Sequence, residues 1–178
     1  KIKVIEFDHY HFGRINNAAV ATTSSDLILF CNNDVELLND ALSRMVQVYL
    51  NHPNHCGTIG GRLHFADNTI QHAGIQLVMK DNHLEIGHHG FHSYYHFSTD
   101  AAETEVLGST AAFLLLEKSL FEQVGGFNIS YSECLEDVEL NLTCLQHQRI
   151  NYFVNDAVCY HFESQTRQRT GIIRQDYE

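Results

Sequence analysis

The sequence is short of proline, of positive charge and of long apolar runs, and each shortage closes off a class of protein. Pro53 is the only proline in 178 residues, and no Ser-, Gly- or Pro-rich linker, repeat or low-complexity block interrupts the chain. Residues 1–178 therefore read as one domain, long enough to bury a sizeable core. Lys and Arg number 11 against 22 Asp and Glu, a formal net charge of −11. Broad binding along a nucleic-acid backbone needs clustered cations, so no nucleic-acid partner is expected, although a local anion site stays open. No apolar run approaches the ~20 residues of a membrane-spanning helix. The opening residues, KIKVIEFDHYHFG, have neither an initiator Met nor the zones of a signal peptide. Cys31, Cys56, Cys134, Cys144 and Cys159 are odd in number and contain no CxxC pair. That pattern suits buried, reduced thiols in a reducing compartment better than a disulfide framework.

What is present is an alternation of strand-like and helix-like segments. KVIEF reads as a short strand, INNAAVAT as a small-residue helix, and DLILF as a strand covered on both faces. Asn39 or Asp40 can cap a helix whose apolar residues are Leu42, Met45, Val46, Tyr49 and Leu50. Beyond Pro53, CGTIGGRLHF and TIQHAGIQLVM read as strands, and residues 81–105 have weak periodicity, as functional or mobile loops do. AAFLLLE is a buried strand, and KSLFEQV a short helix that Gly125 or Gly126 can end with a left-handed cap. Leu135, Val138, Leu142 and Leu145 mark one further helix face, and INYFV and AVCYHF read as two closing strands. The alternation predicts a layered α/β domain with a mainly parallel sheet.

Three constellations carry chemistry. Asn32-Asn33-Asp34-Val35-Glu36 follows DLILF, and ligands of open α/β sheets sit outside the carboxyl ends of strands. An acidic side chain there can hold a hard divalent cation, although NND is also ordinary turn chemistry. Glu136 and Asp137 fall in the first turn of a helix, predicted to lie off its buried face. They can serve the helix dipole or act as a general base. His161, ending an apolar strand, can complete a cation site begun by Asp34.

The order of these pieces resembles glycosyltransferase family 2, which has a GT-A fold. The stretches that carry the resemblance are FGRINNAAVATTSSDLILFCNNDVE, TIQHAG, LGSTAAFLLLEKSLFEQVGGF, ECLEDVELNLTCLQ and HFESQTR, and they cover nearly the whole chain. TIQHAG and HFES look most like the bacterial, rhamnosyltransferase-like branch. The resemblance implies a three-layer, partial GT-A domain that begins at about the third strand of the fold, truncated at its N-terminus. It implies inverting transfer from a nucleotide-sugar donor to a glycan or lipid-linked acceptor, in polysaccharide biosynthesis, with Mn or Mg as cofactor. Asp34 would bind metal and diphosphate, with Asn32 standing where many members carry Asp, and His161 would help hold the metal. Asp137 would be the catalytic base, Glu136 would position the acceptor or orient that base, and Gly108, Ser109 and Thr110 would line the donor and acceptor region. The implied location is cytoplasmic, with the inner face of the membrane as a peripheral alternative. A sheet edge left open by the absent strands could be covered by self-association.

Two other readings compete. One is a non-catalytic glycan- or partner-binding remnant of the same fold. The other is a zinc module built from His88, His92 and His96, four apart, with His89 beside them.

Overall fold

A computed structural model describes residues 2–94, 102–132 and 134–162. Helix α1 (Phe12–Ala21) leads into strand β1 (Leu27–Cys31), the short β2 (Val35–Leu37) and helix α2 (Ala41–Asn51). Five strands follow: β3 (Cys56–His64), β4 (Ile70–His72), β5 (Ile75–Lys80), β6 (His83–His88) and β7 (Glu103–Val106). The last elements are β8 (Phe113–Glu117), the helices α3 (Lys118–Gln123) and α4 (Glu136–Gln146), and β9 (Ile150–His161).

The main sheet runs β1-β8-β3-β9-β2, with β4 added to β3 and β7 to β9, while β5 and β6 form a separate hairpin. Adjacent strands are mostly antiparallel; β3 and β9 are the parallel pair. The expected mainly parallel sheet is therefore corrected. The α/β alternation treats each helix as a crossover between neighbouring parallel strands, whereas here β8 inserts in the opposite sense between β1 and β3. Strands β1, β3 and β9 still run in one direction, and that places their carboxyl ends on one edge.

Side chains on successive strand residues point to opposite faces, and β8 shows this cleanly. Phe113 and Leu115 pack with Met45 and Val48 of α2, together with Ile59, Leu63 and Val154. Leu114 and Leu116 face the other way, towards Val20 of α1, Phe121 of α3, Leu140 of α4, and Phe30 and Phe127. Helices cover both faces, so the three-layer arrangement holds. The rings of Phe30, Phe121 and Phe127 sit with centroids 4.8–5.3 Å apart, within the range where tilted and edge-on aromatic contacts are favourable. Helix α3 stops at Gly125 (φ +89°) and Gly126 (φ +73°), whose amide donates to Phe121 O at 2.8 Å. This is the left-handed stop expected of that Gly pair.

Several local expectations change. KVIEF forms no strand among the described residues; Ile2, Val4, Ile5 and Phe7 are exposed, because β propensity without a ladder partner does not make a strand. In α2 the buried residues are Ala41, Met45 and Val48, with Leu42 and Leu50 outward. Asp40 caps that helix by position only, its side chain making no capping bond, while Asn39 reaches to Asp156 O and Val158 N. The two closing strands are one strand, β9. Its first half pairs with β7 and its last three residues with β2, across a register shift in which Val154 opposes Gly61 and Val158 opposes Arg62. Cys56, Cys144 and Cys159 are buried as expected, with thiols pushed up to about 12 chiefly by burial, but Cys31 is exposed. Among the described residues no helix is long and apolar enough to cross a membrane.

Candidate active site

Three consecutive residues leading into β8 are held by three different parts of the chain. The Thr110 amide donates to His72 Nε2 at 3.2 Å, and the Ala111 amide to Asp137 Oδ2 at 3.0 Å. Ala112 O accepts from the Asn32 amide at 2.9 Å. The sheet explains the meeting. Cys31 pairs with Phe113, so the residues after β1 lie beside those before β8.

Asp34 and His161, 127 positions apart, are joined by the β2–β9 ladder. Val35 pairs with His161, and the Phe162 amide donates to Asp34 O at 3.0 Å. Asp34 Oδ1 is buried without a hydrogen bond and lies 3.3 Å from His161 Nε2. The His161 ring is buried, and its Nδ1 meets Gln71 Oε1 at 2.7 Å. An amide oxygen only accepts, so Nδ1 donates to Gln71. Asn32 Nδ2 lies 3.3 Å from Nε2. A carboxylate oxygen and an imidazole nitrogen at this separation can serve as two ligands of a cation once Nε2 is unprotonated and Asn32 has turned away. Their 3.3 Å separation is close to the roughly 3 Å edge of an octahedron with ~2.1 Å arms. Asp34 and His161 could together supply two of the ligands of a divalent ion. No group of three His, Cys, Asp or Glu able to hold a metal occurs among the described residues.

Helix α4 supplies the carboxylates. Leu135, just before it, takes a left-handed conformation (φ +74°), a strained geometry for a branched side chain that recurs at functional sites. Asp137 Oδ1 accepts from the Val138 amide at 2.8 Å while Oδ2 holds Ala111. Glu136 is buried, correcting the expectation that both acids lie off the packed face. The face is set by Glu136, Leu140, Asn141 and Cys144, with Leu142 exposed, so the leucine spacing points the wrong way.

Asn141 is the reason polar residues face inward. Its Oδ1 accepts from the Ser109 amide (3.1 Å) and from Thr58 Oγ1, and its Nδ2 donates to Ser109 O (2.8 Å) and Asp137 O (2.6 Å). A Cβ on Gly108 would lie 2.3 Å from Asn141 Cγ, so Gly108 allows this approach. Gly108, Ser109 and Thr110 thus form the wall between α4 and β4.

Sequence reasoning left Gln71, His72 and Asn141 without roles. The available signal was a glutamine and a histidine within a strand that is buried throughout, and an asparagine amid apolar helix positions. Burial first, then His88, His89 and His161, holds the His72 imidazole well below its ordinary 6.5. The histidines proposed for zinc are arranged otherwise. His88 ends β6 against His72, and His92 (φ +59°) stacks on Phe65, so no helix aligns them. His96 lies outside the described residues.

No family model matches the chain. It is 30% identical over 191 aligned positions to the O-antigen biosynthesis protein RfbC of Myxococcus xanthus, a match covering 97% of this chain and 14% of that protein. It is 31% identical over 162 positions to the uncharacterized protein y4gI of Sinorhizobium fredii, covering 89% of this chain and 18% of that one. The chain thus spans less than a fifth of the length of either relative. Among solved structures it superimposes on GalNAc-T7 with UDP, GalNAc and Mn2+ at a TM-score of 0.64, covering 88% of this chain and 31% of that one. At 8% identity that likeness is one of fold.

Proposed function

We propose that this chain, which has the glycosyltransferase GT-A fold, moves a sugar from a nucleotide-sugar donor to a hydroxyl of a glycan or lipid-linked acceptor, with inversion, as an enzyme of polysaccharide biosynthesis like those of family 2. The observation that carries this reading is the gathering of Asn32, His72 and Asp137 on the three residues 110–112, beside the Asp34–His161 pair. A relative concerned with O-antigen biosynthesis and a fold neighbour holding UDP, GalNAc and Mn2+ agree with it.

Asp34 and His161 would hold Mn or Mg. Bound there, the ion supplies neutralisation of the charge that grows on the diphosphate leaving group. Asp137 Oδ2 retains a lone pair beyond its bond to Ala111, with which it takes the proton of the acceptor hydroxyl as that oxygen attacks the anomeric carbon. The sugar–phosphate bond breaks on the opposite face, its electrons leaving with the diphosphate, and configuration inverts without an enzyme-bound sugar. Glu136 positions the acceptor or orients Asp137, and Gly108, Ser109 and Thr110 line the donor and acceptor region.

The test separates the two acids in the full polypeptide. Asp137→Asn keeps the outline, removes basicity and leaves one oxygen for the Val138 and Ala111 amides, so kcat falls by about 10²–10⁴ while donor affinity is unchanged. Asp34→Asn weakens cation-dependent donor binding instead. Near-normal turnover of Asp137→Asn would remove Asp137 as the base.

A further inference from the structure

We infer that His72 is a positioning residue for this transfer: its ring, set by His88 as the Nδ1–H tautomer, holds the Thr110–Ala111 turn on which the Asp137 carboxylate is seated. The inference rests on the proposed role of Asp137, and it begins from a rule of hydrogen bonding. A backbone amide only donates, so His72 Nε2, 3.2 Å from the Thr110 nitrogen, must accept. A neutral imidazole carries one proton, and here it sits on Nδ1. That nitrogen points at His88 Nδ1, which must accept in turn, so the His88 proton is on Nε2. Each ring therefore has one allowed tautomer, as when a second partner fixes which nitrogen of a histidine is available.

The surroundings keep His72 neutral. His72 is 1% exposed, and the groups acting on its charge are His88, His89 and His161, all cationic when protonated. Protonating His72 would set an Nε2–H against the Thr110 N–H, and protonating His88 would set two Nδ1–H groups against each other. The hairpin that carries His88 is itself tied to the same wall, since the Ile75 amide donates to Gly108 O at 2.8 Å, and Gln76 Nε2 holds His88 O within the hairpin at 3.1 Å. From His88 the connection runs through His72 to Thr110, and one residue further to the amide that grips Asp137. A histidine that merely filled space would not need its Nε2 on that amide.

Glutamine and asparagine separate these roles. Gln Oε1 lies the same number of bonds from Cβ as His Nε2 and can accept from Thr110. The Asn amide reaches only to the Nδ1 position. On this chain, ring ¹⁵N NMR at neutral pH should show His72 unprotonated at Nε2. Amide exchange at Thr110 and Ala111 should stay within about threefold of normal in His72→Gln and rise by about tenfold in His72→Asn. In the full polypeptide, screened with UDP-, GDP- and dTDP-sugars and Mn, His72→Asn should lose about 10²-fold in kcat with donor KM unchanged, and His72→Gln should recover most of it. An Nε2–H tautomer, or equal exchange and turnover in the two variants, would overturn the inference. Unequal exchange combined with normal turnover of Asp137→Asn would instead leave His72 holding the turn and remove the base assignment.

Discussion

At the residue scale, His72 links stability to pH. In the fold its ring is held neutral, chiefly by burial, whereas in the unfolded chain it titrates near 6.5. Below that pH the unfolded state binds the extra proton, so stability is full above about 6.5 and is lost as pH falls, by at most about 1.4 kcal/mol per pH unit for this one proton. Urea midpoints at pH 7.5, 6.5 and 5.5 should fall more steeply for the native chain than for His72→Gln; matching slopes would show that His72 titrates in the fold as it does in the unfolded chain. The single residues differ in how visible they were beforehand. Asp34, Asp137 and His161 stand at strand and helix ends, where position in the sequence already suggests a site. His72 and Gln71 sit inside a three-residue strand, and only burial plus the tautomer rule reveals what their polar atoms do.

Elements follow apolar spacing where the apolar residues are the buried ones, and depart where polar residues take their place. DLILF, AAFLLLE and KSLFEQV emerge as β1, β8 and α3 because their packing is apolar. In α4 the inward face includes Glu136 and Asn141, which no hydrophobic pattern can announce, so the helix was legible and its orientation was not. The register shift in β9 was hidden for a related reason: a strand can change partners midway only if something across the sheet accepts it, and β7 and β2 lie far off in sequence. Two glycines test the element-scale argument. A Cβ on Gly108 would meet Asn141 atoms at 2.3–2.5 Å, and Asn141 is fixed by four hydrogen bonds, so it has little freedom to retreat. Gly108→Ala should cost about 3 kcal/mol in chemical denaturation and reduce transfer. Gly125→Ala adds a Cβ with nothing within 4 Å and strains only a φ of +89°, so it should cost about 1 kcal/mol and leave transfer intact. Equal losses would mean that the wall between α4 and β4 is less rigid than its bonds indicate.

For the whole molecule, the excess of carboxylates bears on how the diphosphate of the proposed donor would be held. The formal charge is −11, and Asn32, Asp34, Gln71, His72, Thr110, Asp137 and His161 include no Lys or Arg. A phosphate charge ~6 Å from one carboxylate meets a repulsion of about 3 kcal/mol at an effective dielectric of ~20. The neutral His72 does not offset it. On the proposed reading, a divalent ion between Asp34 and His161 would reverse the sign of the local field, and donor affinity would depend on that ion more steeply than in a site lined by arginine. Calorimetry on the full polypeptide should therefore show donor binding lost in EDTA and restored by Mn or Mg. His161→Gln should raise the ion concentration needed for half-restoration about tenfold, the scale of losing one ligand contact. Added NaCl should not substitute, because screening weakens repulsion without placing a charge between the two oxygens. Donor affinity indifferent to EDTA would mean that the diphosphate is held by cationic side chains outside this group, and Asp34 would then have to be assigned another role.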